Sequence, residues 1–160
     1  MQVENNMDGL KKLLIVDDSE IDRMVLRNIL EGEFEVYEAD NGYLALDMII
    51  MRKKPLDAIL LDISMPILDG LNVLRIIREN ELKNGLKTIP VFMITSEATK
   101  DNIEKAIKYH IEDFIRKPYD RDVILQRVRD GLGVESQYGY SKEDLELLRK
   151  CIADLEGIYN

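Results

Sequence analysis

The chain has 160 residues, 46% of them apolar and 33% charged, which is room for one domain with a proper core and a small appendage. Its formal charge of −9 leaves no basic patch to neutralise phosphates, so direct nucleic-acid binding is not expected. The single cysteine, Cys151, excludes an internal disulfide, and the single histidine, His110, makes a His/Cys metal site hard to assemble.

Residues 1–11 read as a polar leader with no signal-peptide core, and no apolar run approaches the roughly 20 residues of a membrane span, so a cytoplasmic location is expected. Beyond it, short apolar runs alternate with stretches of helical periodicity. The first strand is predicted at 13–17, and the first helix at 20–31 with Ile21, Val25, Leu26 and Ile29 as its buried face. Residues 34–38 alternate polar and apolar, as an exposed edge strand does; a helix is predicted at 42–53. The third run, 57–62, is apolar on both faces and reads as a central strand. Helices at 70–82, 99–109 and 120–132 and strands at 90–94 and 112–116 complete the pattern, with Met24, Met48 and Met93 as core filling.

Right-handed crossovers turn this pattern into a flavodoxin-like, doubly wound α/β fold, a five-stranded parallel sheet of order 2-1-3-4-5 with five helices. Residues 12–133 form that domain and 134–140 a linker. A C-terminal amphipathic helix is predicted at 141–159, opening with Ser141-x-x-Asp144 and carrying Leu145, Leu148, Ile152, Leu155 and Tyr159 on one face. That stripe needs a partner.

In such sheets the functional crevice lies beyond the carboxyl ends of the strands. Asp17, Asp18, Asp62, Thr95 and Lys117 all fall there. Three neighbouring carboxylates repel one another, so one takes a proton or the group holds a hard cation, and oxygen-only ligation suits Mg²⁺. Asp17, Asp18 or Ser19 could equally serve to cap the following helix. Asp62 is harder to explain that way, because Asp is poor in strands and Asp69-Gly70 already supplies the next cap. A carboxylate beside Mg²⁺ can attack a phosphoryl group to form an acyl phosphate, with Lys117 adding positive charge and Thr95 a hydroxyl donor. Pro118 allows either a cis Lys117-Pro118 bond or the first turn of the next helix.

Asp17-Asp18 after an apolar strand, Asp62 followed by Met65-Pro66 and Asp69-Gly70, Thr95-Ser96 and Lys117-Pro118 closely resemble the receiver (CheY-like) domain of two-component response regulators. The resemblance implies a signalling switch, phosphorylated on Asp62 by a sensor histidine kinase or phosphotransfer protein and self-dephosphorylating, with no external substrate. It implies Mg²⁺ held by Asp18, Asp62 and the backbone carbonyl of Ser64, with Asp17 acting through water. Thr95 and Phe114 become the switch pair, Phe114 standing where the family often has tyrosine, while Ser64 and Glu97 occupy positions that tune dephosphorylation. Downstream, the expected partner is a target or output domain that the sequence does not specify, or a second copy meeting the fourth helix around Ile103 and Ile107. A haloacid-dehalogenase-like phosphatase is the enzyme alternative; it wants a second aspartate where this chain has Ser64. A pure interaction module is a third reading, disfavoured by the full acidic set.

Overall fold

The computed structural model describes residues 9–134 together with Leu147 and Lys150. Five parallel strands, β1 (Lys12–Val16), β2 (Glu35–Ala39), β3 (Ala58–Asp62), β4 (Val91–Thr95) and β5 (Asp113–Arg116), pair in the order 2-1-3-4-5. Between them run α1 (Glu20–Leu30), α2 (Gly42–Leu46, continued by a π-helical turn at Asp47–Met51), α3 (Gly70–Asn84) and α4 (Lys100–Lys108), and α5 (Arg121–Leu132) follows the last strand. The predicted fold class and strand order hold.

One device starts all five helices. Ser19, Asn41, Asp69, Thr99 and Asp120 each accept a hydrogen bond from the backbone N–H three residues on. A side chain in that role satisfies an otherwise orphaned donor, about 1 kcal/mol per helix.

Alternation along the strands divides the core into two layers. Leu13, Ile15, Ala58, Leu60, Phe92, Ile94 and Ile115 face α1 and α5, where they meet Leu26, Ile29, Leu30, Ile124, Leu125 and Val128. Leu14, Val16, Ile59, Leu61, Val91 and Met93 face the other way, toward Val73, Leu74 and Ile77 of α3 and Ala106 of α4. Two apolar layers bury β3 on both sides, as its unbroken apolar run requires.

Several expectations need correction. Ile21 is 68% exposed, and Met24 and Val25 are exposed as well, so the buried stripe of α1 is Leu26, Ile29 and Leu30. At 100° per residue Val25 lies about 90° and Ile21 about 130° around the helix from the centre of that stripe. Met48 and Met93 are core residues as expected; Met24 is not. The second predicted helix widens into the π turn, where the Arg52 N–H reaches back five residues to the Asp47 carbonyl. The third helix runs two residues beyond its predicted end at 82, to Asn84, and Gly85 ends it in the left-handed region, φ 60°. Pro118 stands before the Asp120 cap of α5, so it is not in that helix's first turn; the Lys117–Pro118 bond is cis. The C-terminal helix and most of the linker lie outside the described residues, save that Leu147 and Lys150 are helical.

Candidate functional site

Strand alternation decides which side chains can meet. Continuing each strand's phase, Asp17 follows Leu13 and Ile15, Asp62 follows Ala58 and Leu60, and Lys117 follows Ile115, so all three project on the face covered by α1 and α5. Thr95 follows Val91 and Met93 and shares the opposite face with Phe114. Backbone hydrogen bonds tie the two groups together: Ile63 N–H to the Ile94 carbonyl at 3.0 Å, and Lys117 N–H to the Thr95 carbonyl at 2.9 Å.

The carboxylates converge around one ammonium. Lys117 Nζ donates to Asp62 Oδ2 at 3.0 Å and to Asp22 Oδ2 at 2.7 Å. It stands 3.0 Å from Asp17 Oδ2 as well, although that oxygen receives no hydrogen bond. Asp17 is fully buried, and Asp62 is only 3% exposed. Their second oxygens hold the loops: Asp17 Oδ1 accepts from Ser19 N–H at 2.9 Å, and Asp62 Oδ1 from Ser64 N–H at 3.1 Å. Asp18 is exposed and completes a trio in which one oxygen from each of Asp17, Asp18 and Asp62 lies within 4.8 Å of the others. Since Ser19 caps α1, neither Asp17 nor Asp18 is spent on that task.

Burial pushes the Asp62 carboxyl up to about 6, helped by the negative charge of Asp17 and opposed by Lys117. Lys117 moves the opposite way for a buried base. Burial pulls it down more than any other single influence, but pairing with Asp22, Asp17 and Asp62 together outweighs that and holds it above the ordinary lysine range. Three carboxylates, Asp17, Asp22 and Asp62, thus stand against one ammonium with Asp18 beside two of them, an excess of negative charge that invites a cation. Tyr119 packs against the core layer of α1 and α5, its buried hydroxyl without a hydrogen bond and its ionisation pushed up by burial.

Thr95 is buried but faces elsewhere. Its hydroxyl donates to the Glu97 carbonyl at 2.7 Å and accepts from Glu97 N–H at 3.0 Å. Phe114 is half-buried and packs in the layer of α3 and α4, opposite Met93 in the strand register. Ser64, Ser96 and Glu97 lie at the rim, all three exposed.

One residue, Asp22, and the packing role of another, Gly70, escaped the sequence reading. Asp22 sits four residues before Leu26, on the true buried stripe of α1, which aims its carboxylate at Lys117. In sequence it reads as the last member of Ser19-x-x-Asp22, a capping pattern; phasing α1 on Leu26 and Ile29 would have exposed it. Gly70 packs directly against the Asp62 carbonyl, where any Cβ would collide with backbone.

Comparison with known proteins fits this geometry. A family model described as the response regulator receiver domain matches residues 13–129. The chain belongs to that family. Receiver domains are phosphorylation-dependent signalling switches rather than turnover enzymes, and they work with histidine kinases or phosphotransfer proteins. This receiver is 35% identical over 123 residues to the chemotaxis protein CheY of Halobacterium salinarum, covering 76% of the chain and 97% of that protein. It is 34% identical over 119 residues to the chemotaxis protein CheY of Pseudomonas aeruginosa, covering 73% and 92%. A CheY-like receiver domain protein from Methanospirillum hungatei superposes with a TM-score of 0.68 at 26% identity, covering 78% of this chain and 95% of its own. Among the described residues, no helix of the receiver is long and apolar enough to cross a membrane.

Proposed function

We propose that Asp62 accepts a phosphoryl group from the phosphohistidine of a sensor histidine kinase or phosphotransfer protein, and that the acyl phosphate is later hydrolysed within the same pocket. An Asp62 oxygen attacks phosphorus as the P–N bond to the imidazole breaks and its electron pair leaves on nitrogen. In the return step water attacks phosphorus, inorganic phosphate leaves, and the carboxylate is restored. The observation that carries this reading is the Asp62 carboxylate itself, buried at the end of the central strand and hydrogen-bonded to Lys117 and to Ser64 N–H.

The residues fit Mg²⁺. All their donors are oxygens, the charge excess is negative, and Asp17 Oδ2 is a buried oxygen that no hydrogen bond satisfies. Asp18, Asp62 and the Ser64 carbonyl would hold the ion directly and Asp17 through water. When bound, Mg²⁺ would neutralise charge developing on the phosphoryl oxygens. Lys117 supplies a second positive charge to the same group, and Thr95 becomes a donor to it once its hydroxyl leaves Glu97. Phe114, on the face that Thr95 shares, then turns into the space released.

The signalling unit of this proposal spans residues 12–133, a boundary supported by Gly133, which ends α5 in the left-handed region at φ 67°. The phosphatase alternative finds no support: the residue two beyond Asp62 is Ser64, which carries no carboxylate to act as general acid.

Incubation with acetyl phosphate, with and without Mg²⁺, tests the reading by intact-protein mass spectrometry. One phosphoryl group should add to the natural protein in the presence of Mg²⁺ and none to Asp62→Asn. A natural protein that stays unmodified would overturn it.

A further inference from the structure

We infer that Asp22 is a positioning residue for the phosphoryl transfer, anchoring the Lys117 ammonium from α1 so that the hydrogen bond Asp62 gives up on reacting passes to a phosphoryl oxygen. This rests on the reading of Asp62 as the phosphoryl acceptor.

An ammonium has three hydrogens and no acceptor. Around Lys117 Nζ stand Asp22 at 2.7 Å and Asp62 and Asp17 at 3.0 Å. Of these, only Asp22 and Asp62 receive hydrogen bonds in good geometry. Asp62 is the group that reacts. With acetyl phosphate as donor, a P–O bond forms to Asp62 while the P–O bond to acetate breaks, the electron pair leaving with acetate. The charge of the Asp62 carboxylate is then carried outward on the phosphoryl oxygens. Lys117 must follow that charge over a short distance without swinging out of the pocket.

Its side chain is long and flexible, so the second anchor decides where the ammonium waits. Asp22 is suited to that task by its backbone. Its N–H is held by the Ser19 cap at 3.2 Å, and it stands one turn ahead of Leu26 on the packed stripe of α1. The carboxylate is therefore fixed relative to the sheet edge that carries Asp17 and Asp62. It is the most solvated of the three, with a third of its side chain exposed.

The test measures the rate of phosphorylation by acetyl phosphate at saturating Mg²⁺ for the natural protein, Asp22→Ala and Asp22→Asn, with Asp62→Asn as the blank and a Mg²⁺ titration of each. Asp22→Ala should slow the reaction about 10-fold, because a misplaced catalytic group is costly even at sub-ångström to ångström displacements. Asp22→Asn, which keeps an acceptor oxygen at the same place, should stay within about 3-fold of the natural rate, since it loses only the charge-assisted part of one hydrogen bond. The Mg²⁺ midpoint should move less than the rate in both variants. An Asp22→Ala protein that reacts at the natural rate overturns the inference, and so does equal slowing of the two variants, which would make charge rather than anchorage the cause. If the natural protein itself takes up no phosphoryl group, the reading of Asp62 fails instead, so the two failures are distinguishable.

Discussion

Gly70 packs so tightly beneath the Asp62 carbonyl that a Cβ at position 70 would overlap the carbonyl oxygen and crowd the Ile63 Cα. The Gly70 N–H meanwhile donates to the Ile63 carbonyl at 2.8 Å, so the β3–α3 loop is folded back onto the strand end by backbone alone. Asp69 and Gly70 thus do different work, the first capping α3 and the second making room for it.

Gly70→Ala should therefore displace the end of β3 rather than merely strain a loop. Overpacking of this kind costs about 1–3 kcal/mol. Chemical denaturation should show a lowered midpoint with an unchanged slope, and phosphorylation by acetyl phosphate should fall with it. A variant of natural stability and natural rate would show that the strand end has slack that the packing does not suggest.

Asp62 stores a penalty that pH can release. Its carboxyl is pushed up to about 6 in the folded protein from an ordinary 3.8, by burial first and by Asp17 second. Between those values the folded state holds a proton that the unfolded chain has lost, so stability falls as pH rises through the window and the full cost is present above it. Lys117 stays charged throughout, its own ionisation lying far higher. Without Mg²⁺, Asp62→Asn should be more stable than the natural protein at pH 7.5 by about 1–3 kcal/mol, since each tenfold change in a proton's affinity is worth roughly 1.4 kcal/mol. Thermal unfolding should show the gap closing below about pH 4. If Asp62 holds Mg²⁺ as proposed, adding the ion should raise the natural protein more than the variant.

In the proposed switch, Thr95 couples the site to the opposite face of the sheet. Shifting a two-state equilibrium from 1:99 to 99:1 needs roughly 5.5 kcal/mol of differential stabilisation. Hydrogen bonds to a charged group contribute about 1.5–3 kcal/mol each, so Thr95 and Lys117 together reach about 3–6. Neither suffices alone. Thr95→Ala should still gain a phosphoryl group by mass spectrometry, yet amide hydrogen exchange around Glu97 and Phe114 should no longer respond to it. A full response in that variant would remove Thr95 from the switch.

Ile67 is strained at the rim. It is 92% exposed and adopts φ 70°, at the centre of a tight turn in which Leu68 N–H donates to the Pro66 carbonyl at 2.8 Å. A β-branched residue in the left-handed region costs about 1–2 kcal/mol, of which glycine recovers most while adding unfolded-state entropy. Ile67→Gly should raise stability by about 0.5–1 kcal/mol in denaturant titration. A loss of stability would mean that the isoleucine side chain makes contacts that outweigh its backbone strain.

Much of this molecule can be read along the chain because its signals are local or strictly periodic. A strand's phase follows from alternation, which placed Asp62 at the end of a doubly buried strand, and a cap follows from one side chain, which placed Asp69 at the head of α3. The parallel order 2-1-3-4-5 follows from the alternation of strands and helices under right-handed crossovers. These together brought Asp17, Asp18, Asp62 and Lys117 to one edge before any distance was known.

What needed tertiary structure was the rotation of α1 about its axis. Three apolar residues on that helix, Ile21, Met24 and Val25, face solvent, so hydrophobicity alone could not phase it. Packing did, by seating Leu26, Ile29 and Leu30 against the sheet. That rotation carries Asp22 to Lys117, 95 residues away in sequence, and no local pattern records a contact between side chains that only the closed fold brings within 2.7 Å. The close approach of Gly70 to Asp62 has the same origin: a glycine after a capping aspartate looks like turn chemistry until a second backbone is seen to occupy the space a side chain would need.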